Sequence, residues 1–303
     1  MLKQLENILQ NEIDPAFAKR ARFIFEQVEK ERPKKVLDAG CGRGFYVTSL
    51  TYFKFIKEIH GFDLNEKYLK IAKKSISGSH SGERSQVPDG TWRSDSRIDS
   101  GRVTILQRTR MTKVVLQQAS IYSLPYPSSY FDFIICSEVL EHLKDDKKAL
   151  LELRRVLKKD GTLAITIPNK DFPFLWDPLN WILMKLFKTH INKDIWWLAG
   201  IWADHERLYS ENELKKTISD SRFRIKQMRK IIHWCWPFTH FLLYGVGKNL
   251  IERFGIKAGN RFNQSNNSKI SRFLSCFMAM PSNLFDNLSI SSSMNIAVLT
   301  EKN

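Results

Sequence analysis

The 303-residue chain has no uninterrupted apolar run of the ~20 residues that a membrane-spanning helix needs. Ile231–Gly247 comes closest, and it is broken by His233, Pro237 and His240. Cysteine is scarce and scattered at Cys41, Cys136, Cys235 and Cys276, with no C-x-x-C pair, so neither a disulfide framework nor a zinc cluster is indicated. A reducing, cytoplasmic compartment suits that usage. The first residues, MLKQLENILQNEIDP, lack the long apolar core of a signal peptide. Acid is also short: 32 Asp and Glu face 48 Lys and Arg, a formal net charge of +16. Such an excess favours a polyanionic neighbour, nucleic acid or an anionic membrane face, or else serves solubility alone.

What is present is a core-sized apolar fraction, 43% of residues, arranged in alternating short runs. Ile13–Glu31 carries Phe17, Ala21, Ile24, Phe25 and Val28 at helical spacing, ahead of Pro33. Strands are expected at Lys35–Ala39, Ile59–Asp63, Val114–Gln118, Phe131–Cys136, Thr162–Pro168, Phe223–Ile232 and Asn295–Thr300. Helices are expected at Phe45–Phe55, Asn65–Lys74, Asp145–Leu157 and Glu211–Ser219, the last opened by a Ser210/Glu213 capping box. This order implies an α/β domain: a doubly wound, Rossmann-like sheet of seven strands, mostly parallel, with ligand sites at strand C-termini.

The chain then divides into an N-terminal helical segment, 1–32, and a main domain, 33–303, with three insertions. Residues 76–112 are rich in Ser, Arg, Gly and Asp and read as a disordered surface insertion. Residues 170–204 read as an aromatic cap, and 237–293 as a helical insertion. Asn180–Lys188 and His240–Phe254 are aromatic, apolar and basic together, which suits a lid over a greasy substrate or an interfacial helix on a membrane.

The most informative stretch is Val36–Tyr46, VLDAGCGRGFY. An apolar strand ends in Asp38, and Gly40, Gly42 and Gly44 follow at alternate positions, so a ligand can approach bare backbone. Phe45 stands where a dinucleotide fingerprint wants its third glycine, and no Gly-Lys-Ser/Thr follows, so neither that fold nor a P-loop is matched. Asp63 ends a second apolar run 21 residues past Gly42, near the offset at which such folds place a carboxylate on a ribose. Gln118–Pro125 (QASIYSLP), Tyr130–Leu143 (YFDFIICSEVLEHL) and His205–Leu214 (HERLYSENEL) follow in order.

Together these residues resemble the class I S-adenosylmethionine-dependent methyltransferases, type 11-like, over roughly residues 30–168 and 205–232. The resemblance implies a sheet with an antiparallel last strand and S-adenosylmethionine as cofactor. It implies that Asp38, Gly40, Cys41 and Gly42 serve the methionine end, Asp63 and Leu64 the ribose side, and Ser120 and Ile121 the adenine. Ser120 stands where the family has Asp, so its acceptor carries no charge. Ser137 and Glu138 would face the transfer site. Glu138, Glu141 and His142, if helical, share one face at i, i+3 and i+4. With His205 they resemble the metal site of small-RNA 3′-terminal 2′-O-methyltransferases and a run found in ubiquinone-type O-methyltransferases. A divalent cation is the cofactor that this implies, with Glu138 and His142 as catalytic candidates. The structural alternative is a polar helix start with His142 merely hydrogen-bonded.

The expectation is therefore a methyltransferase acting on a small-molecule or lipid-like acceptor, at oxygen. The alternatives are a metal-assisted RNA 2′-O-methyltransferase and a non-catalytic protein of the same fold. The partners expected are the substrate and a membrane surface, with nucleic acid as the alternative. The location expected is cytoplasmic, with peripheral membrane attachment as the variant.

Overall fold

Alternate residues of each central strand go to opposite faces, as the period of a pleated strand dictates. In β1 (Lys35–Ala39), Val36 joins one apolar cluster and Leu37 the other. Phe133 and Ile134 of β6 (Phe131–Ser137) divide in the same way, as do Ala164 and Ile165 of β7 (Leu157–Pro168). Burial on both sides accounts for near-continuous apolar strands and requires a helical layer on each face. The first layer comprises α1 (Lys3–Gln10), α2 (Pro15–Glu31), α3 (Phe45–Leu50) and α4 (Glu66–Gly78). The second comprises α5 (Asp146–Val156) and α7 (Glu211–Asp220), separated in the chain by the short α6 (Pro178–Ile182).

The computed structural model describes residues 2–78, 96–99, 102–108, 112–195, 198–241, 243, 269–288 and 291–303. The remaining strands are β2 (Glu58–Asp63), β3 (Ser96–Asp99), β4 (Arg102–Arg108), β5 (Lys113–Gln118), β8 (Phe223–Ile231) and β9 (Asn295–Lys302). Among the described residues they form one sheet in the order β3-β4-β5-β2-β1-β6-β7-β9-β8. The run β5-β2-β1-β6-β7 is parallel, and β9 lies antiparallel between β7 and β8, as expected. The chain winds outward from β1 through β2 to β5, then returns to the far side of β1 as β6. The switch point lies between β1 and β6, where α/β folds hold their ligands.

Local chemistry sets the element ends. Asp14 caps α2 by accepting the Ala16 and Phe17 N–H groups at 3.0 and 3.1 Å. Ser210 and Glu213 form the expected capping box of α7. The helix after the glycine loop is shorter than expected and stops at Leu50.

The disordered insertion over 76–112 is corrected in part. Helix α4 continues to Gly78, and β3 and β4 form an antiparallel pair that extends the sheet from β5. Val103–Leu106 (VTIL) is β-branched and apolar, which suits the open edge that β5 offers. Residues 79–95 lie outside the described residues, as does most of His240–Phe254. The last insertion contributes α8 (Lys269–Phe285), laid against α1 and α2.

Candidate donor and acceptor sites

Leaving β1, the chain turns through Gly40 at φ +71° and Gly42 at φ +51°, a left-handed region that glycine occupies without strain. A Cβ on Gly40 would meet Val139 Cγ2 at 2.7 Å, so the bare backbone also lets the segment after β6 close over the loop. A Cβ on Gly42 would meet nothing within 4 Å, so that position borders open space. The loop is braced from β2. Cys41 N–H donates to the Phe62 carbonyl at 2.8 Å, and Gly42 N–H donates to Asp63 Oδ2 at 2.9 Å. Asp63 Oδ1 takes the Asn65 N–H at 2.8 Å. Each carboxylate oxygen keeps a lone pair for an incoming hydroxyl. Cys41 itself is buried, and burial pushes its thiol well up, so it serves the loop through its backbone.

Asp38, at the end of β1, is 2% exposed. Its carboxylate accepts the Val47 N–H, while Oδ2 has no partner. Burial, then the charge of Asp63, pushes its pKa up to about 8. An unpartnered buried carboxyl costs about 1–3 kcal/mol or more, which a cationic ligand group would offset. This orphaned oxygen and the space beside Gly42 fit the donor's cationic methionine end.

The adenine side is less committed. Leu64 is 66% exposed just past Asp63, a large apolar side chain left open where a flat ring could lie. Ser120 Oγ already accepts the Tyr122 N–H at 3.3 Å, and Ser120 bridges to Ser123. Ile121 is buried in the core, so only its backbone faces that region. Gln118, which the sequence reading did not single out, reaches the Leu64 carbonyl at 2.9 Å.

Two networks sit on the other side of the switch point. In the first, Ser137 Oγ lies 3.3 Å from Tyr46 Oη and 2.8 Å from Thr166 Oγ1. Thr166 donates to Glu138 Oε1 at 3.1 Å, Asn295 donates to Oε2 at 3.2 Å, and Arg20 lies 3.5 Å from Oε2. The helical face expected for Glu138, Glu141 and His142 does not form. Glu138 has φ +55°, and only Leu140–His142 make a single 3-10 turn. The left-handed residue sets the Glu138 side chain against Thr166, Asn295 and Arg20, and it is not among the three side chains whose ligand atoms cluster. Glu138 is thereby corrected out of the four-residue metal set.

The second network keeps Glu141, His142 and His205 together, with one ligand atom from each within 4.8 Å of the others. Glu141 is fully buried and neither carboxylate oxygen has a hydrogen-bond partner. Burial, reinforced by the Glu138 charge, pushes its pKa well above the usual carboxylate range. His142 Nδ1 lies 2.7 Å from the Asp204 carbonyl, and His205 Nδ1 lies 2.5 Å from that of Ile201. A carbonyl can only accept, so both Nδ1 atoms carry the proton in the neutral rings and both Nε2 atoms carry a lone pair. Burial lowers the His205 pKa to about 4, which keeps that ring neutral. Donor atoms around one cation at about 2.1 Å stand at most ~4.2 Å apart, so the cluster would have to close by a few tenths of an ångström to hold one.

The cap insertion carries His205 to Glu141. Buried Asp177 accepts the Asn180 N–H at the start of α6 and the Ile201 N–H at 2.9 Å, tying 200–205 to the cap. Glu206 N–H then donates to the Glu141 carbonyl at 2.8 Å. Arg20, Tyr46, Thr166, Asp177 and Asn295 are site-shaping residues that sequence reasoning missed. The available signals were a lone arginine inside the apolar stripe of α2 and an asparagine opening an apolar strand.

Comparison with known proteins agrees with the geometry. A profile of the family described as "Methyltransferase domain" matches residues 6–227. The ubiquinone/menaquinone biosynthesis C-methyltransferase UbiE of Paraburkholderia xenovorans is 29% identical over 211 residues, 65% of this chain and 70% of that protein. A ubiquinone biosynthesis O-methyltransferase of Histophilus somni is 27% identical over 174 residues, 57% of this chain and 59% of that one. The chain spans about half the length of the first curated relatives it matches. The crystal structure of a putative sarcosine dimethylglycine methyltransferase from Galdieria sulphuraria shares the fold, with TM-score 0.51 and 16% identity over 93% of this chain and 84% of that one. The profile covers most of the sheet, the Glu141–His142–His205 cluster and the first network apart from Asn295, and the chain belongs to the methyltransferase domain family, of the class I S-adenosylmethionine-dependent type.

Proposed function

We propose that the protein methylates a hydroxyl oxygen of a small or lipid-like acceptor, with S-adenosylmethionine as donor. The observation that carries the choice of oxygen is the cluster of one buried carboxyl without a hydrogen-bond partner and two imidazoles beside the donor loop. When bound, the donor supplies a methyl group on a sulfonium, already an activated electrophile. The chain's task is then placement and proton management. Asp63 would accept the ribose hydroxyls in charge-assisted bonds, and Asp38 would hold the cationic amino-acid end. Gly40, Cys41 and Gly42 present backbone to it, Leu64 would support the adenine, and Ser120 and Ile121 would border the adenine. Ser137, held by Tyr46 and Thr166, lines the path to the acceptor.

A hydroxyl needs its proton removed as the new C–O bond forms. His142 is exposed, with Nδ1 fixed on the Asp204 carbonyl, so Nε2 accepts that proton. His205 and Glu141 stand behind it. A divalent cation is a finer reading of the same cluster, supported by the two orphaned Glu141 oxygens. Glu141, His142 and His205 would hold it and offer a Lewis acid to the hydroxyl. The aromatic cap residues Phe174, Trp181 and Trp202 suit an apolar acceptor better than a polyanion.

The test is incubation with methyl-labelled donor and extract of the source cells, separated into lipid, small-molecule and RNA fractions. Alkali-resistant label in the lipid or small-molecule fraction, lost with His142→Ala, supports the reading. Label confined to RNA overturns it. Calorimetric titration with Mg²⁺, Mn²⁺ and Zn²⁺ in turn decides the cation reading. Binding that Glu141→Gln removes supports it, and no binding up to millimolar metal refutes it.

A further inference from the structure

Helix α8 has no Asp or Glu among its 17 residues. Phe273, Phe277, Met280 and Leu284 recur at helical spacing and form one outward stripe. All four are exposed, Phe273 by 70% and Leu284 by 61%. The polar edge of the helix is spent on holding it down. Ser275 donates to the Gln10 carbonyl, Arg272 donates to Gln10 Oε1, and Asp286, just past the helix, takes Lys19 at 2.8 Å. The stripe also continues beyond α8. Phe277 stacks on Trp236 at 4.9 Å, and Phe238, half exposed, is pinned through its N–H to the Leu175 carbonyl. Next to it, exposed Phe174 packs edge-on against Trp181.

A groove with basic side chains flanks this apolar strip on one side. About a third of a turn round α8 from the stripe, this groove of about 680 Å³ opens between α8, α2 and β8. Lys19, Arg22, Arg229, Lys230 and Arg272 border it; Lys19 pairs with Asp286, Arg22 with Glu6, Arg229 with Glu26 and Lys230 with Glu211, while Arg272 of α8 donates to the Gln10 amide oxygen. We propose that this face docks on an anionic lipid surface. The aromatic and leucine side chains enter the boundary between headgroups and acyl chains, and Arg272 reaches a lipid phosphate. Charge selects this occupant over a second copy of the chain. Two copies would bring together acid-free helices on molecules that each carry a net +16, whereas an anionic lipid surface complements that charge. No helix among the described residues is long and apolar enough to cross a membrane, so the attachment is interfacial. The inference does not depend on the acceptor.

The test is co-sedimentation of the full chain with vesicles of zwitterionic phospholipid alone or mixed with an anionic phospholipid. Wild type is expected to bind the anionic vesicles about tenfold or more tightly than the neutral ones, with affinity falling as salt rises. Phe273→Ser with Leu284→Ser, and separately Arg272→Gln, should each weaken that binding severalfold. Both variants should bind S-adenosylmethionine as wild type does, which shows that they fold and separates this inference from the enzymatic one. Equal vesicle binding by wild type and the double variant overturns the proposal. So does absence of binding at low salt, or a lipid-free dimer in sedimentation velocity that the same substitutions dissolve.

Discussion

The donor side and the acceptor side of the switch point are built on opposite plans. On the donor side, Asp38, Gly40, Gly42 and Asp63 sit at strand ends that neighbour in the sheet, and the Gly42–Asp63 hydrogen bond joins them directly. Their placement follows from two adjacent strands and one turn. On the acceptor side, Glu141 and His142 come from a single 3-10 turn, while His205 arrives after the whole cap insertion. The first arrangement is fixed by the fold and changes little with substrate. The second hangs on the cap, so it is where a family of one fold can vary its acceptor.

That contrast predicts separable losses. The largest is expected for Asp63→Ala, which removes the proposed ribose acceptor and the brace on Gly42 together. Two charge-assisted bonds at about 1.5–3 kcal/mol each imply a fall in cofactor affinity of about 100-fold or more, read as Kd by calorimetry. His142→Ala and His205→Ala should instead lower turnover by about 100-fold, the scale of a lost general base, with cofactor Kd within about twofold of wild type. A matching loss of cofactor affinity in either histidine variant would break the division.

Smaller effects sharpen the donor side. The Asp38 carboxyl has a pKa raised to about 8, so it binds its proton more tightly folded than unfolded. It therefore lowers stability as pH rises from about 4 to about 8, where the unfolded chain alone has released the proton. Asp38→Asn should remove that slope and raise Tm by a few degrees at pH 8, while weakening cofactor binding by about tenfold. In wild type, cofactor affinity should rise with pH toward 8 as Asp38 ionises; an identical pH profile in Asp38→Asn would contradict the role given to it. The smallest effect is a gain. Ser120→Asp should tighten cofactor binding by about threefold to tenfold, because a charged acceptor replaces a neutral one at the adenine edge.

The same contrast explains what the sequence disclosed. The succession of strands, the glycine turn and the place of Asp63 beside it were legible because they rest on short apolar runs and a fixed spacing that no tertiary event alters. The Ser210/Glu213 cap was legible for the same local reason. Glu138 was misplaced because its left-handed backbone breaks the helical spacing that would have faced it toward His142. Nothing in SEVLEHL signals that break. The β3–β4 pair was hidden in a polar segment whose strand propensity is realised only against the open edge of β5. Arg20 and Asn295 meet at 2.9 Å although they lie 275 residues apart, a contact that only the closed sheet creates.

The central claim is that donor binding and acceptor chemistry are carried by different residues of one cleft. It is tested most directly by calorimetric titration of S-adenosylmethionine into wild type, Asp63→Ala and the double variant His142→Ala/His205→Ala under identical conditions. Equal affinity in wild type and the double histidine variant, with binding lost in Asp63→Ala, is the predicted result. Wild-type affinity in Asp63→Ala, or loss of binding in the histidine variant, would contradict it.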